Sequence, residues 1–333
     1  MLLPKAYPFA IMGLKKGIIM KIILIAGPTA SGKTDTSVLL AKKIGGEVIC
    51  TDSMQIYKNM DIGTAKVTVQ EMDGVAHHMM DRLDPHENCS VAWFKAEVKE
   101  HIAEISSRGK IPILVGGTGF YINAILFDTI FDENTDREYK SELEAYYREH
   151  GQAALFSKLM EIDPESTKVI HPNNIKRVIR AIEYFYQNNE PISKHNKEEK
   201  NKRIANVSPY DYSFFALNMD RATLYERINK RVDAMVERGL FAEVETLFAK
   251  GLPETCAAIQ AIGYKELYPY FRKEISQEDA ITLLKRNTRR FAKRQLTWFN
   301  NQSNPIFIEV DKFGFNSEKI VNTMIELSNL REY

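Results

Sequence analysis

Residues 27–34 read Gly27-Pro28-Thr29-Ala30-Ser31-Gly32-Lys33-Thr34, which matches the G-x-x-x-x-G-K-[ST] spacing of a phosphate cradle. The glycines let backbone N–H groups turn toward a diphosphate, and a helix starting behind them adds the positive end of its dipole. Lys33 would pair with phosphate oxygens, and the Thr34 hydroxyl would hold Mg²⁺. A glycine-rich turn without a ligand is the plain alternative. The flanks argue against it, because the apolar run Lys21–Ala26 precedes the loop and a helical pattern over Gly32–Ile44 follows. Such a cradle specifies a diphosphate and not a reaction, so on its own it leaves a small-molecule or nucleoside kinase as an alternative.

Other residues supply chemistry that a cradle lacks. Asp52 follows the run Glu47–Thr51, and carboxyl ends of parallel strands open onto the ligand crevice. A carboxylate there could ligate Mg²⁺, orient an acceptor hydroxyl or accept a proton from an amine. Asp is also a favoured N-cap, and position alone leaves these readings open. Thr118 lies in the turn Gly116-Gly117-Thr118-Gly119, whose glycines permit close approach of a ligand; a tight turn capped by threonine is the simpler account. Arg227 and Arg231 are four apart on a helix predicted over Arg221–Glu237, where they could clamp phosphate or form a solvated face, and nothing separates them from Arg221. Lys285–Arg294 carries six cations in ten residues. Helical spacing puts Arg286, Arg290 and Arg294 in one row, and Leu284, Thr288, Phe291, Gln295 and Trp298 in a row at core-seam spacing. The cationic row could follow a phosphate backbone, although a solvated basic face is the usual meaning of a charge run. Adjacent His77 and His78 point to opposite faces of a strand and make poor joint metal ligands.

The elements that must position these groups follow a strand-to-helix alternation. Lys21–Ala26, Glu47–Thr51, Ile111–Val115, Phe214–Met219 and Pro305–Val310 read as strands, with helical patterns between them, notably Val91–Ser107. That alternation predicts an α/β fold with a P-loop NTPase-like parallel sheet flanked by helices. Strand signals vanish over residues 128–200, where charged helical patterns predict a helical insertion domain. Within it Ile175, Val178, Ile179, Ile182 and Tyr186 recur at helical spacing, and the polar stretch Asn188–Arg203 reads as a solvated hinge or loop. The catalytic core is then 21–127 together with 201–333. Residues 1–20 read as a disordered extension, and Met20, directly before the first strand, is a plausible true start.

Composition sets outer limits. The 333 residues carry a net charge of +1, so a polyanionic partner must meet a local basic patch and not bulk charge. Cys50, Cys89 and Cys256 show no CxxC or Cys/His ligand spacing, which argues against structural zinc and a secreted disulfide framework and for a reducing cytoplasm. No stretch approaches the roughly 20 consecutive apolar residues of a membrane span.

Asp52–Lys66, DSMQIYKNMDIGTAK, resembles the block that follows the phosphate loop in bacterial tRNA dimethylallyltransferases. Further blocks in the same order are similar: His77-His78-Met79-Met80-Asp81 with Asp84-Pro85, Val115–Tyr121, Arg227–Arg231, Ala261–Glu266 and Ala292–Phe299. Together they span nearly all of Lys21–Asn300. The resemblance implies transfer of a dimethylallyl group from dimethylallyl diphosphate to N6 of the adenosine 3′-adjacent to the anticodon of tRNA. It implies Asp52 as general base, Thr118 and Arg227 as further catalytic groups, and Gly27 to Thr34 on the diphosphate with Mg²⁺ at Thr34. By the same matching the anticodon stem-loop would meet Asp52, Ser53, Met54, Gln55, Thr118, Asn173, Asn174, Lys176, Gly263, Tyr264 and Lys265. The cationic row of Arg286, Arg290 and Arg294 would join them, with Gln55 reading the extruded adenine edge and the protein acting as a cytoplasmic monomer.

Overall fold

The computed structural model describes residues 20–128, 137–205, 207–302 and 304–328. The extension expected over 1–20 therefore lies outside the described residues except for Met20, whose carbonyl accepts from Asp211 N at 3.0 Å. From the amino end the chain forms β1 (Lys21–Ala26), α1 (Lys33–Ile44), β2 (Gly46–Cys50), α2 (Val69–Met72), β3 (His77–His78), α3 (Val91–Ser107), β4 (Ile111–Gly116) and α4 (Gly119–Leu126). Four helices follow without a strand: α5 (Arg137–Ile162), α6 (Pro164–Thr167), α7 (Ile175–Asn188) and α8 (Ile192–Ile204). The sheet then resumes with β5 (Asp211–Asn218), followed by α9 (Arg221–Glu237), α10 (Leu240–Ala249), α11 (Tyr268–Phe271), α12 (Gln277–Gln302), β6 (Ile306–Glu309) and α13 (Ser317–Leu327).

All six strands are parallel, in the order β3-β2-β4-β1-β5-β6. Central β1 is apolar from Ile22 to Ala26 because both of its faces are covered. Ile22, Leu24 and Ala26 join one core cluster, together with α3, α4, α10 and Phe299 of α12. Ile23 and Ile25 point the other way, into a second cluster with α1, α13 and Leu224 and Ile228 of α9. Each fully buried aliphatic side chain of this kind contributes about 1.5–3 kcal/mol. All strand C-termini therefore meet at one rim, where β1 runs into residues 27–32 and β2 into Asp52. Strand β3, two residues long, gave no periodicity to detect. It sends His77 and His78 to opposite faces as a strand must.

The helices α5 to α8 bury a cluster of their own, with Leu143, Leu155, Leu159, Val178 and Ile182 at its centre. One expectation fails here: Asn188–Arg203 is not a loop, because Ile192–Ile204 forms α8. Its Lys, Glu and Asn residues carry no apolar stripe, yet straight-chain Lys and Glu are good helix formers. The helix is also tied down locally, with Glu190 and Lys194 paired at 2.5 Å and the buried Asp163 carboxylate accepting from Ser193 N at 3.0 Å.

At the amino-end edge of the sheet, Glu47 is buried and takes Arg108 Nη1 at 2.5 Å, Lys110 Nζ at 2.7 Å and His78 Nε2 at 2.8 Å. The Arg108 hydrogen bonds hold its carboxyl well below the usual carboxylate range; burial opposes them, and Lys110 and His78 add to them. A depressed carboxylate stabilises the fold above the unfolded pKa of about 4.3 and loses that contribution as pH falls further. Glu47→Gln should cost about 2 kcal/mol at neutral pH, a figure discounted because the cations reach solvent. In urea titrations the gap from wild type should shrink below about pH 4; a gap that stays constant down to acid pH contradicts the assignment.

Candidate active site and nucleic-acid interface

The loop between β1 and α1 has left-handed backbone at Ala30 (φ 66°) and Gly32 (φ 88°), while Gly27 sits at φ 146°. A Cβ on Gly27 would come 2.8 Å from Leu217 O and 2.9 Å from Ser31 Oγ. Gly32 is the N-cap of α1 and brings no side-chain cap, so the first-turn amides of α1 have no side-chain acceptor there. Carbonyls of the loop face cations. Lys33 Nζ donates to Pro28 O at 2.7 Å and Gly27 O at 3.1 Å, and Arg227 Nε donates to Ala30 O at 2.9 Å.

Lys33, Thr34, Ser37, Cys50, Asp52, Gln55 and His77 line one cavity of about 50 Å³, completed mainly by Val48, Val67, Met80 and Val115. The cradle and the carboxylate at the end of β2 thus share one space. Burial lowers the Lys33 pKa to about 8, with the charge of Arg231 adding to the shift and Asp52 opposing it. Arg231 is itself pushed below the usual arginine range, by burial first and then by Arg238, and its Nε is buried without a partner. Ser31 Oγ and Thr51 Oγ1 are likewise buried and unpartnered. Crowded cations beside orphaned donors describe a site for an anion.

This geometry separates the three arginines that spacing left equal. Arg221 donates to Tyr225 Oη at 3.0 Å on the exposed side of α9. Arg227 braces the outside of the cradle and lies 4.9 Å above the Phe315 ring. Arg231, one turn farther, is in electrostatic reach of both Lys33 and Asp52.

Asp52 does not cap a helix, since a turn follows β2; its Oδ1 accepts from Met54 N at 2.9 Å. Ser53 and Met54 are half-buried beside it. Gln55, expected to read an adenine edge, is held by its own loop: Nε2 donates to Thr64 O at 3.2 Å and Ala65 O at 3.3 Å, and Cys50 Sγ donates to Oε1 at 3.2 Å. Burial pushes the Cys50 thiol up to about 12, which keeps it a neutral donor. The far end of the loop is pinned by Glu243 of α10, whose carboxylate accepts from the N–H groups of Asp61 (2.8 Å), Ile62 (2.7 Å) and Gly63 (2.9 Å) and from Tyr264 Oη (2.7 Å).

Gly263 and Tyr264 were expected on the RNA surface; both are buried, Tyr264 at 0% exposure. A Cβ on Gly63 would come 2.6 Å from the Tyr264 ring, so the two blocks that looked like separate RNA contacts pack on each other. Half-buried Lys265 donates to Gln260 O at 3.1 Å.

Thr118 is the N-cap of α4 but makes no side-chain cap bond, so capping does not account for it. Its glycine neighbours answer to packing: a Cβ on Gly117 would collide with Gln295, and one on Gly119 with Trp298. Gln295 bridges two functional loops, accepting from Thr29 N at 3.2 Å and donating to Gly117 O at 3.0 Å. Its position on the predicted core seam was the available signal, because a buried amide needs partners. The seam itself differs from expectation. Leu284, Ala292, Gln295 and Phe299 are buried, while Thr288, Phe291 and Trp298 are half-buried on its flank.

A cleft of about 530 Å³ lies between the helical insertion and α12, lined by Arg177, Arg290, Lys293, Arg294, Thr297, Trp298 and Asn301. Arg290 and Arg294 meet there as expected. Arg286 is exposed but not among the lining residues. From the insertion Arg177 lines the cleft and Lys176 does not; Asn174 caps α7 there by accepting from Arg177 N at 3.4 Å. Asn173 accepts from Gln152 Nε2 at 2.8 Å and shapes the same corner. Among the described residues no group of three or more His, Cys, Asp or Glu could hold a metal, and no helix is long and apolar enough to cross a membrane.

Comparison with known proteins converges on one family. A profile described as IPP transferase matches residues 55–302. The chain is 49% identical over 313 residues to a tRNA dimethylallyltransferase of Lachnoclostridium phytofermentans, covering 93% of this chain and 98% of that one. With the enzyme of the same name from Bacillus anthracis it shares 50% over 291 residues, 87% of this chain and 91% of that one. Among solved structures, the tRNA isopentenylpyrophosphate transferase of Bacillus halodurans is similar at 45% identity and a TM-score of 0.67, covering 93% of this chain and 98% of that one. A eukaryotic dimethylallyltransferase acting on tRNA superposes with a TM-score of 0.78 at 30% identity, over 94% of this chain and 80% of that one.

Glu243→Ala removes the acceptor of three amides and a buried phenol, which should lower stability by about 2 kcal/mol, and Glu243→Gln by about half as much. Urea unfolding checks this; an alanine variant as stable as wild type would mean that water serves the amides equally well.

Proposed function

This chain belongs to the IPP transferase family, and on that premise we propose that it transfers the dimethylallyl group of dimethylallyl diphosphate to N6 of the adenosine 3′-adjacent to the anticodon of tRNA. The observation that carries the reading is the single cavity shared by Lys33, Thr34 and Asp52. The kinase alternative gives way to relatives that match over nearly the whole chain.

In this reading the adenine N6 attacks the first carbon of the allyl chain. The C–O bond breaks, its electron pair leaves on the diphosphate, and the N6 proton passes to the Asp52 carboxylate. An exocyclic amine conjugated to a purine is a weak nucleophile, and loss of its proton as the C–N bond forms is what a general base supplies. The leaving group is stabilised by cradle amides, Lys33 and Arg231, fixed charges aimed at a developing anion. The Thr34 hydroxyl is a hard-oxygen donor on the same cavity and would hold Mg²⁺ together with the diphosphate oxygens. Bound there, the ion would neutralise diphosphate charge. The Thr118 hydroxyl would orient the extruded adenosine, and Gln55 would hold the Asp52 loop while the base is out of its stack.

The anticodon stem-loop would enter the cleft between Arg177 and the Arg290–Arg294 row, with Arg286, Lys176, Lys265, Asn173 and Asn174 at its margins. The active unit we propose is a monomer. The three cysteines are free, which fits a reducing cytoplasm.

Incubating the protein with unmodified tRNA, Mg²⁺ and labelled dimethylallyl diphosphate, then digesting to nucleosides, should give label on N6-substituted adenosine without ATP. Asp52→Ala should reduce the rate by about a hundredfold to ten-thousandfold with RNA affinity retained. Undiminished transfer in that variant would refute the base. Because Lys33 titrates near 8 in the free protein and must be protonated to meet a diphosphate, donor affinity should be present below that value and lost above it. Between about pH 7 and pH 9 the fall should be about tenfold, and Lys33→Arg should flatten it. A wild-type profile as flat as that of the arginine variant would remove Lys33 from the site.

A further inference from the structure

We infer that Gln295 is a positioning residue for the transfer step, one that holds the turn carrying Thr118 in register with the glycine-rich loop; the inference deepens the tRNA reading and rests on it. Gln295 belongs to the long helix α12 and is 6% exposed. Its amide has one orientation that satisfies both neighbours: Oε1 accepts from Thr29 N at 3.2 Å, and Nε2 donates to Gly117 O at 3.0 Å. The loop and the turn also lie against each other. A Cβ on Gly117 would collide with the Gln295 amide and come within 3.5 Å of Gly27 O, so any larger residue there would wedge helix, turn and loop apart.

The same helix grips the other side of the turn. Trp298 packs so closely on Gly119 that a Cβ there would strike the indole. Thr118 thus sits between two glycines, each fitted to a side chain of α12, while its own side chain makes no cap bond to α4. Gln295 spans an N–H of the loop that would hold the diphosphate and a carbonyl of the turn that would orient the adenosine. In a transfer between two bound reactants their relative placement enters the rate steeply, since a misplacement of about 1 Å can cost about a hundredfold. Each ligand can bind its own loop without the bridge. The bridge is needed to bring the two to bond-forming distance.

Turnover of an anticodon stem-loop RNA with dimethylallyl diphosphate by the full-length Gln295→Met variant tests this role. Methionine keeps the length and bulk of the side chain and loses both hydrogen bonds. The kcat should fall about ten- to a hundredfold, while Kd for the stem-loop and Kd for dimethylallyl diphosphate each stay within about threefold of wild type. Gln295→Glu keeps an acceptor for Thr29 N and offers Gly117 O no donor; it should show the same split, and it carries the test if the methionine variant does not fold. In a Thr118→Ala background, Gln295→Met should cost less than about a further threefold, because a residue acting through Thr118 has nothing left to position. Wild-type kcat in the Gln295 variants, an equal weakening of either ligand, or losses that multiply with Thr118→Ala overturn the positioning role and leave the tRNA reading intact. Wild-type protein that does not prenylate the stem-loop overturns the tRNA reading and the positioning role with it.

Discussion

Lys33 and Arg231 repel one another at the carboxyl rim of the sheet, and much of the surrounding construction follows from holding two cations where neither has a full counter-ion. Asp52 offsets part of the charge, loop carbonyls at residues 27 and 28 accept from Lys33, and Arg231 Nε is left unpartnered. Such an arrangement is costly in an empty site and favourable once an anion enters, because fixed charges at low dielectric need little reorganisation when negative charge arrives. In the proposed reaction the phosphate cradle would act on a departing group, its charges stabilising the diphosphate as the C–O bond breaks, which is where an allylic transfer needs them.

Delivering the acceptor to that point takes elements remote in sequence. The Asp52 loop is folded around Gln55 and clamped at Asp61–Gly63 by Glu243, some 180 residues away, while Tyr264 fills the space that Gly63 leaves open. Gln295 on α12 ties the cradle to the Gly117 turn, and the same helix carries Arg290 and Arg294 into the cleft. One helix thus registers the cleft-lining cations against the glycine-rich loop. The four helices of the insertion bury their own core and supply Arg177 from the opposite side.

The sheet, the cradle and the position of Asp52 were legible in the sequence because each rests on local pattern: apolar runs of strand length, glycines at fixed offsets, a carboxylate at a strand end. Helices Val91–Ser107 and Arg221–Glu237 were legible from periodicity alone. Helix α8 was not, since its polarity mimics a loop while its stability comes from propensity and from Asp163, a partner 30 residues away from Ser193. The burial of Tyr264, the pinning of Gln55 and the nearness of Arg231 to Lys33 were hidden for a related reason. Each depends on a contact between distant segments, and a residue type shared by a family's blocks does not say whether it touches substrate or supports what does. His77 and His78 could be assigned to opposite faces from adjacency, but not to the cavity and to Glu47 respectively.

The central claim, that the cradle holds a leaving diphosphate and the carbon–oxygen bond is the one that breaks, is tested most directly by the fate of the bridging oxygen. Dimethylallyl diphosphate carrying a heavy-oxygen label between carbon and phosphorus should, after turnover on unmodified tRNA, yield diphosphate that retains the whole label, one diphosphate for each prenylated adenosine. Label recovered in an organic product, or diphosphate formed without it, would mean that a phosphorus–oxygen bond had been cleaved and would contradict the account.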